Sequence, residues 1–393
     1  MSATAVSSVR VTLPRAGGHL ELYEMGSPSP FAPPDRALAS RTCFAAAHVV
    51  RDPLADVDPH GPAQLDWEAT LAYRRHLWKH GLGVAEAMDT AQRGMGLDWT
   101  ATQELIRRSC AEAAATRGRI ACGAGTDQLD DRSQASLSAV AAAYEEQCEL
   151  IEEHGAQVVL MASRALVRCA GGPDDYRQIY GELLDQLRRP AILHWLGDAF
   201  DPALRGYWGA TDVDAGAEVL LSIVHAHAPQ VDGIKVSLLD ADLEVALRRR
   251  LPAGVRMYTG DDFNYPELIV GDEQGHSDAL LGIFDAIAPA AAAAVAELDA
   301  GRLAGYHAIL GPTVALARHI FAAPTQYYKT GIVFLAYLNG HQSHFQLLGG
   351  LESARSTLHL SELLVLADRA RALRDPELAA RRMAAVLAVA GVT

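Results

Sequence analysis

Lys235 ends the apolar run Val231-Asp232-Gly233-Ile234-Lys235, which reads as a short buried strand. Burial at such a strand end disfavours the ammonium and draws its pKa down. A neutral amine there is a nucleophile that condenses with a ketone or aldehyde as a Schiff base. The ordinary alternative is a lysine that snorkels past the strand end to solvent or a carboxylate. Other apolar runs also end in reactive groups. These are His48, then Glu86 with Asp89 and Thr90, then Asp127, Ser163, His194 with Trp195, and Tyr258 with Asp261 and Asp262. His48 and His194 directly follow apolar runs, where an imidazole lines a site and carries protons. Asp127, Asp261 and Asp285 suit helix caps equally well.

Two chemistries compete for this set. In one, Lys235 is a Schiff-base nucleophile and His194 or Tyr258 carries the proton. In the other, His48, Glu86, Asp127 and His194 gather a divalent cation, as in barrel isomerases. A third reading is a non-catalytic ligand-binding barrel. No helix carries a tight ligand pair of the HExxH kind. His341 and His344 are three residues apart, but they follow a helix and are expected in a solvated loop.

The elements that position these residues follow one pattern. Apolar strands are expected at 41–47, 83–88, 119–123, 157–162, 191–195, 232–236, 255–259 and 278–283. Between them lie helical stretches such as Asp66–His80, Thr100–Thr116, Ser133–His154, Asp174–Leu187, Asp214–His227, Asp240–Arg250 and Tyr265–Val270, several opening on a capping residue. Eight short strands alternating with helices predict an α/β fold, the (β/α)8 TIM barrel, whose chemistry sits at the C-terminal strand ends. A doubly wound sheet would commonly carry a phosphate-cradling glycine loop, and none follows the first strand. Ahead of the barrel, Val9–Leu13 and Leu20–Tyr23 flank Gly17-Gly18 as a hairpin. The expected organisation is a hairpin and Pro-rich linker over 1–38, a barrel over 39–303, and a C-terminal bundle of three or four helices over 304–393.

The 393 residues carry a net charge of −14, which argues against a nucleic-acid or acidic-membrane partner. Half of them are hydrophobic, enough for a large core. Five dispersed cysteines fit a reducing compartment better than a disulfide framework. Residues 1–7 lack the pattern of a secretory signal, and the alanine-rich run Ala286 to Val295 is too short to span a bilayer. A cytoplasmic location is expected.

Five segments resemble the dihydrodipicolinate synthase and N-acetylneuraminate lyase superfamily of class I aldolase-type enzymes. Arg119 to Gly125 is similar to its third-strand "VIAGTG", and Pro190 to Trp195 to its fifth-strand "PQILYN". Gly233-Ile234-Lys235 matches the "GIK" that carries its Schiff-base lysine. Tyr258 to Asp262 is similar to "SGDD", and Pro324 to Lys329 to the "NPIPVK" of its C-terminal helices. The chain resembles a divergent branch, a dihydrodipicolinate synthase-like domain of unknown function 993. The departures matter as much. His194 stands where the superfamily has a relay tyrosine, and Met88-Asp89-Thr90-Ala91-Gln92 stands where two threonines hold the carboxylate of pyruvate. Ala165 or Leu166 occupies the place of a second tyrosine, and the acceptor-binding arginine is absent from His194 to Asp198.

The resemblance implies a lyase, either aldolase or dehydratase, that needs no cofactor beyond the covalent lysine. A divalent metal belongs only to the isomerase reading. The expected substrate is a sugar- or sugar-acid-derived carbonyl compound. Lys235 and His194 would be catalytic. Asp89, Thr90 and Asp127 would hydrogen-bond substrate hydroxyls, and His48, Ser163, Trp195, Tyr258 and Asp261 would line the pocket. A dimeric or tetrameric homo-oligomer is the implied assembly.

Overall fold

Eight short parallel strands close on themselves in this computed structural model, which describes residues 9–56, 58, 61–129 and 135–392. The strands are β3 (Cys43–Ala46), β4 (Gly83–Glu86), β5 (Ile120–Ala124), β6 (Gln157–Leu160), β7 (Ala191–Leu196), β8 (Val231–Ser237), β9 (Arg256–Thr259) and β10 (Asp278–Leu281). Each pairs with its sequence neighbour, and β10 returns to β3 to complete the barrel. A preceding hairpin, β1 (Arg10–Arg15) and β2 (His19–Glu24), forms a separate antiparallel sheet. This is the (β/α)8 architecture expected from the strand spacing. The reading of residues 1–7, and the start of the expected helix at 133 and 134, lie outside the described residues.

Helices cover the barrel's outer face: α1 (Trp67–Lys79), α2 (Trp99–Thr116), α3 (Leu137–Glu153), α4 (Arg164–Cys169), α5 (Pro173–Gln186), α6 (Val213–Ala226), α7 (Ala241–Arg248), α8 (Tyr265–Val270), α9 (Ile283–Ala286) and α10 (Ala288–Asp299). Their starts are set by local chemistry. Asp66, Asp98, Ser136, Asp212 and Asp240 each accept a hydrogen bond from a first-turn N–H. The described residues then continue through five further helices, rather than the three or four expected: α11 (Leu303–Leu310), α12 (Thr313–Ile320), α13 (Tyr328–Leu338), α14 (Thr357–Arg369) and α15 (Pro376–Val389).

Strand residues alternate between two apolar clusters. One faces the helices. The other fills the barrel and includes Phe44, Met88, Met161, Ile192, Tyr258 and Leu280. The large inner side chains lie over glycines. A methyl group on Gly83 would come within 2.5 Å of the Phe44 ring, and one on Gly233 within 2.7 Å of the Tyr258 ring. These two rings meet edge to face at 6.2 Å. The filled interior is a packed core and not a channel. No helix among the described residues is long and apolar enough to cross a membrane.

Two additions join at the C-terminal helices. The hairpin packs on α14 and α15. Asp368 of α14 accepts from Tyr23 Oη at 2.8 Å and from the Gly26 N–H at 2.9 Å. Every residue of α13 is buried, and α13 packs on α9 beside the barrel mouth.

Candidate active site

Lys235 lies on β8 with its backbone in register with His194 of β7 and Tyr258 of β9. Ile234 and Val236 join the helix-facing core, so alternation turns Lys235 and Ser237 inward. Lys235 is only 6% exposed. It has no hydrogen-bond or ion-pair partner among the described residues. Burial lowers its pKa, and the nearby charges of Asp89 and Asp262 only partly offset that. Its side chain enters a small chamber of about 10 Å³, lined also by Asp89, Thr90, Ser237, Asp262 and Tyr328.

These chamber residues come from four segments: Lys235 and Ser237 from β8, Asp89 and Thr90 from the turn after β4, Asp262 from the loop after β9, and Tyr328 from α13. Asp262 follows β9 and accepts from the Ile283 N–H at the start of α9, at 2.8 Å. Burial pushes its carboxyl up to about 7. Thr90 Oγ1 and Tyr328 Oη share a proton across 2.8 Å, tying the loop after β4 to α13. Ser237 Oγ lies 3.1 Å from His194 Nε2, while His194 Nδ1 is buried without a partner among the described residues. Burial, and then the charge of Lys235, hold His194 well below the usual imidazole range, so the ring is neutral at neutral pH. Gly260 gives Lys235 its room. A side chain there would run into Ser237 Oγ and come within 3.0 Å of Lys235 Cε.

Asp89 and Leu196 border both the chamber and a neighbouring cleft of about 330 Å³ over β5, β6 and β7. Thr126 Oγ1 and Ser163 Oγ are 2.6 Å apart on its wall, and Ser163 also caps α4. Asp127 is gripped by Arg93, with Nε 3.0 Å from Oδ2, and by Gln147 at 2.9 Å. Arg93 also donates to the Gly123 carbonyl at 2.8 Å, so it fixes the loops after β4 and β5 together. Burial pushes the Asp127 carboxyl up, but the Arg93 charge together with the hydrogen bonds from Arg93 and Gln147 outweighs it and holds the carboxyl below the usual range. Arg164 pairs with Asp201 at 2.6 Å. The two cleft arginines are thus matched by two carboxylates, and Asp89 adds a third negative group.

The structure therefore gathers Lys235, Asp89 and Thr90 around the chamber, with His194, Asp127 and Ser163 along the cleft. Four expected residues lie elsewhere. Trp195 neighbours His194 on the strand, so it faces the helices, where it packs edge to face on Trp208 at 6.2 Å. Tyr258 is inside the barrel but lies down across Gly233, and its hydroxyl donates to Asp232 at 2.6 Å on the floor. Asp261 accepts from the Phe263 and Asn264 N–H groups at 2.8 and 3.0 Å, which folds the loop ahead of α8 as an Asx turn, while Asn264 and not Asp261 stands at the helix N-cap. His48 is fully buried behind the mouth. It bonds Asp285 at 2.7 Å and packs on the Tyr73 ring at 4.3 Å.

The metal set is not brought together. Glu86 is held bidentately by Arg74, at 2.8 Å through each nitrogen, and both side chains are fully buried. Asp127, His48 and His194 have the separate partners already given. Among the described residues no group of three or more His, Cys, Asp or Glu is placed to hold an ion. His341 is not solvated as expected; it packs on Tyr73 at 4.9 Å and on His76 at 4.4 Å.

Asp262, a strand-end group with no role expected of it, and Ser237, Tyr328, Arg93 and Arg164 lie outside the site residues expected from the sequence. For the first two a signal existed. Counting by twos from Lys235 reaches Ser237, and counting by twos from Tyr258 reaches Gly260 and Asp262 rather than Asp261. The same rule removes Trp195 once His194 faces inward. Tyr328 arrives from 93 residues downstream of Lys235 in sequence, and only tertiary packing reveals it. Lysine is scarce overall. The chain has three, Lys79, Lys235 and Lys329. Lys79 is exposed, and Lys329 is buried with its Nζ 3.2 Å from the Gln326 carbonyl.

Solved structures share this fold. The chain is similar to dihydrodipicolinate synthase from Thermotoga maritima, with 15% identity and a TM-score of 0.64 over 85% of this chain and 99% of that one. It is also similar to a prophage protein of the dihydrodipicolinic acid synthase family from E. coli K12 in complex with pyruvate, with 14% identity and a TM-score of 0.64 over 84% and 98%. A third is the chloride inhibited dihydrodipicolinate synthase from Acinetobacter baumannii complexed with pyruvate, with 16% identity and a TM-score of 0.62 over 84% and 99%. No curated protein matches the sequence. One family model, described as a protein of unknown function, DUF993, matches residues 11–392. The chain therefore belongs to the DUF993 family, built here on the fold of the dihydrodipicolinate synthases.

Proposed function

We propose that the protein is a Schiff-base lyase, an aldolase or dehydratase, acting on a sugar-derived carbonyl compound through Lys235. The observation that carries this reading is a buried lysine with no partner among the described residues, directed into a chamber at the C-terminal end of a barrel strand, with two carboxylates beside it. The neutral amine attacks the carbonyl carbon, and a carbinolamine forms. Protonated Asp262 gives its proton to the leaving hydroxyl, water departs, and an iminium on Lys235 faces the new Asp262 carboxylate. Atoms and charge balance, because one cation and one anion arise from neutral groups. The iminium withdraws the electron pair when the neighbouring C–C bond breaks or a β-hydroxyl leaves. Neutral His194, relayed through Ser237, takes or returns the proton of the reacting hydroxyl. Asp127, Thr126 and Ser163 accept and donate hydrogen bonds along the substrate's hydroxyls.

Acetylacetone tests the amine directly. This small uncharged diketone condenses with a neutral lysine to give an enaminone with its own ultraviolet band. The wild type should develop one equivalent of the band and Lys235→Ala none. An unchanged band in Lys235→Ala, or none in the wild type, contradicts the proposal.

A further inference from the structure

We propose that the compound captured by Lys235 is uncharged and short at its reacting end, an aldehyde or a ketone with a one-carbon arm, and that Asp89 excludes 2-oxo acids. This deepens the Schiff-base reading and rests on it.

Three observations carry the inference. The first is size. The chamber around Lys235 holds about 10 Å³, room for about one water-sized group. Of the two groups on the attacked carbon, the chamber takes the smaller, a hydrogen or a methyl group, and the other turns toward the cleft and Asp89. The second is charge. Lys235 is the one cationic side chain among the chamber's lining residues, which include two carboxylates, Asp89 and Asp262. Once Lys235 is neutral, nothing positive in the lining receives a substrate carboxylate, whereas an iminium is a cation between two acids. The third is position. Asp89 borders both the chamber and the cleft, so a substrate that enters from the cleft meets it before Lys235. The cleft does not compensate, because Arg93 and Arg164 are already paired with Asp127 and Asp201. The rest of the substrate lies in the 330 Å³ cleft against hydroxyls and carboxylates, which suits a neutral polyol chain.

The test uses the full-length protein with sodium borohydride and, separately, acetaldehyde, hydroxyacetone and pyruvate. Reduced adducts are quantified by intact mass and located by peptide mapping. Acetaldehyde and hydroxyacetone should label Lys235 at least about ten-fold faster than pyruvate, the scale of one like charge removed from a partly buried site. In Asp89→Asn the pyruvate rate should rise by about ten-fold relative to that of hydroxyacetone. Asp89→Thr gives a second comparison should the asparagine variant fold poorly. Equal labelling by pyruvate and hydroxyacetone in the wild type overturns the inference while leaving the Schiff base intact. An unchanged ratio in both folded variants overturns the role of Asp89. No label on Lys235 from any of the three compounds sinks the Schiff-base reading itself.

Discussion

Lys235 and Asp262 are disturbed by the same burial in opposite directions, and that pairing sets a pH dependence. The amine loses its proton more easily than usual, and the carboxyl keeps its proton up to about 7. Above that value Asp262 is ionised and can no longer protonate the leaving hydroxyl. Borohydride trapping with hydroxyacetone should therefore slow as pH rises through 7. Asp262→Asn should abolish that fall and lower the rate by about 10²-fold or more, the usual worth of a positioned acid. A falling limb retained in the variant would assign the titration elsewhere. Residue types at strand ends were legible in the sequence, because a parallel barrel exposes its chemistry at one end. Which of two neighbours faces inward was legible only by strict alternation, as Asp261 against Asp262 shows. His48 shows what alternation misses, since beyond the strand end its backbone leaves the barrel wall.

At the scale of elements, eight strands fell close to their expected bounds because each is a short apolar run covered on both sides. What the sequence could not give was how loops and helices grip one another. Glu244 of α7 is an example. It is 1% exposed and accepts from Thr259 Oγ1 at 2.9 Å and Ser277 Oγ at 2.7 Å, which pins α7 to β9 and to the start of β10. Burial raises its carboxyl from 4.5 to about 8. A raised carboxyl contributes most to stability below the unfolded value and loses that contribution as pH climbs toward the folded one. Glu244→Gln should therefore gain stability over the wild type between pH 4.5 and 8, by on the order of 1 kcal/mol per pH unit. Urea melts at pH 5 and pH 8 measure it, and an equal difference at both would refute the account. The loop carrying Asp89 is held in another way, by Arg74 on Glu86 and Arg93 on Gly123 and Asp127. Buried arginines at such distant sequence positions give no periodic signal.

Across the whole molecule, the C-terminal helices complete the site rather than decorate it. Tyr328 opens α13, stacks on Phe321 at 4.4 Å and bonds Thr90, so the chamber is closed by chain that lies past the barrel. The opposite seam, where the loop after α13 meets α1, is built from His341, His76 and Tyr73. Burial lowers His76 to about 3 and His341 to about 2, and the charges of His80, Lys79 and Arg374 add to it. Depressed pKa values contribute stability that is full above 6.5 and is lost as pH falls toward 3. The thermal midpoint should drop as pH falls from 6.5 to 4. His76→Gln with His341→Gln should flatten that slope while lowering the midpoint at pH 8. A slope equal to the wild type's would place the acid sensitivity elsewhere. The hairpin is part of the same assembly, since Asp368 ties both Tyr23 and Gly26 to α14.

The most direct measurement of the central claim exploits the scarcity of lysine. With Lys79, Lys235 and Lys329 the only lysines, borohydride trapping of hydroxyacetone followed by peptide mapping assigns every adduct. One equivalent on Lys235 is the predicted result, with Lys79 and Lys329 unmodified and the adduct lost in Lys235→Ala. Labelling of Lys79 or Lys329 in place of Lys235, or a protein that stays unmodified, would contradict it.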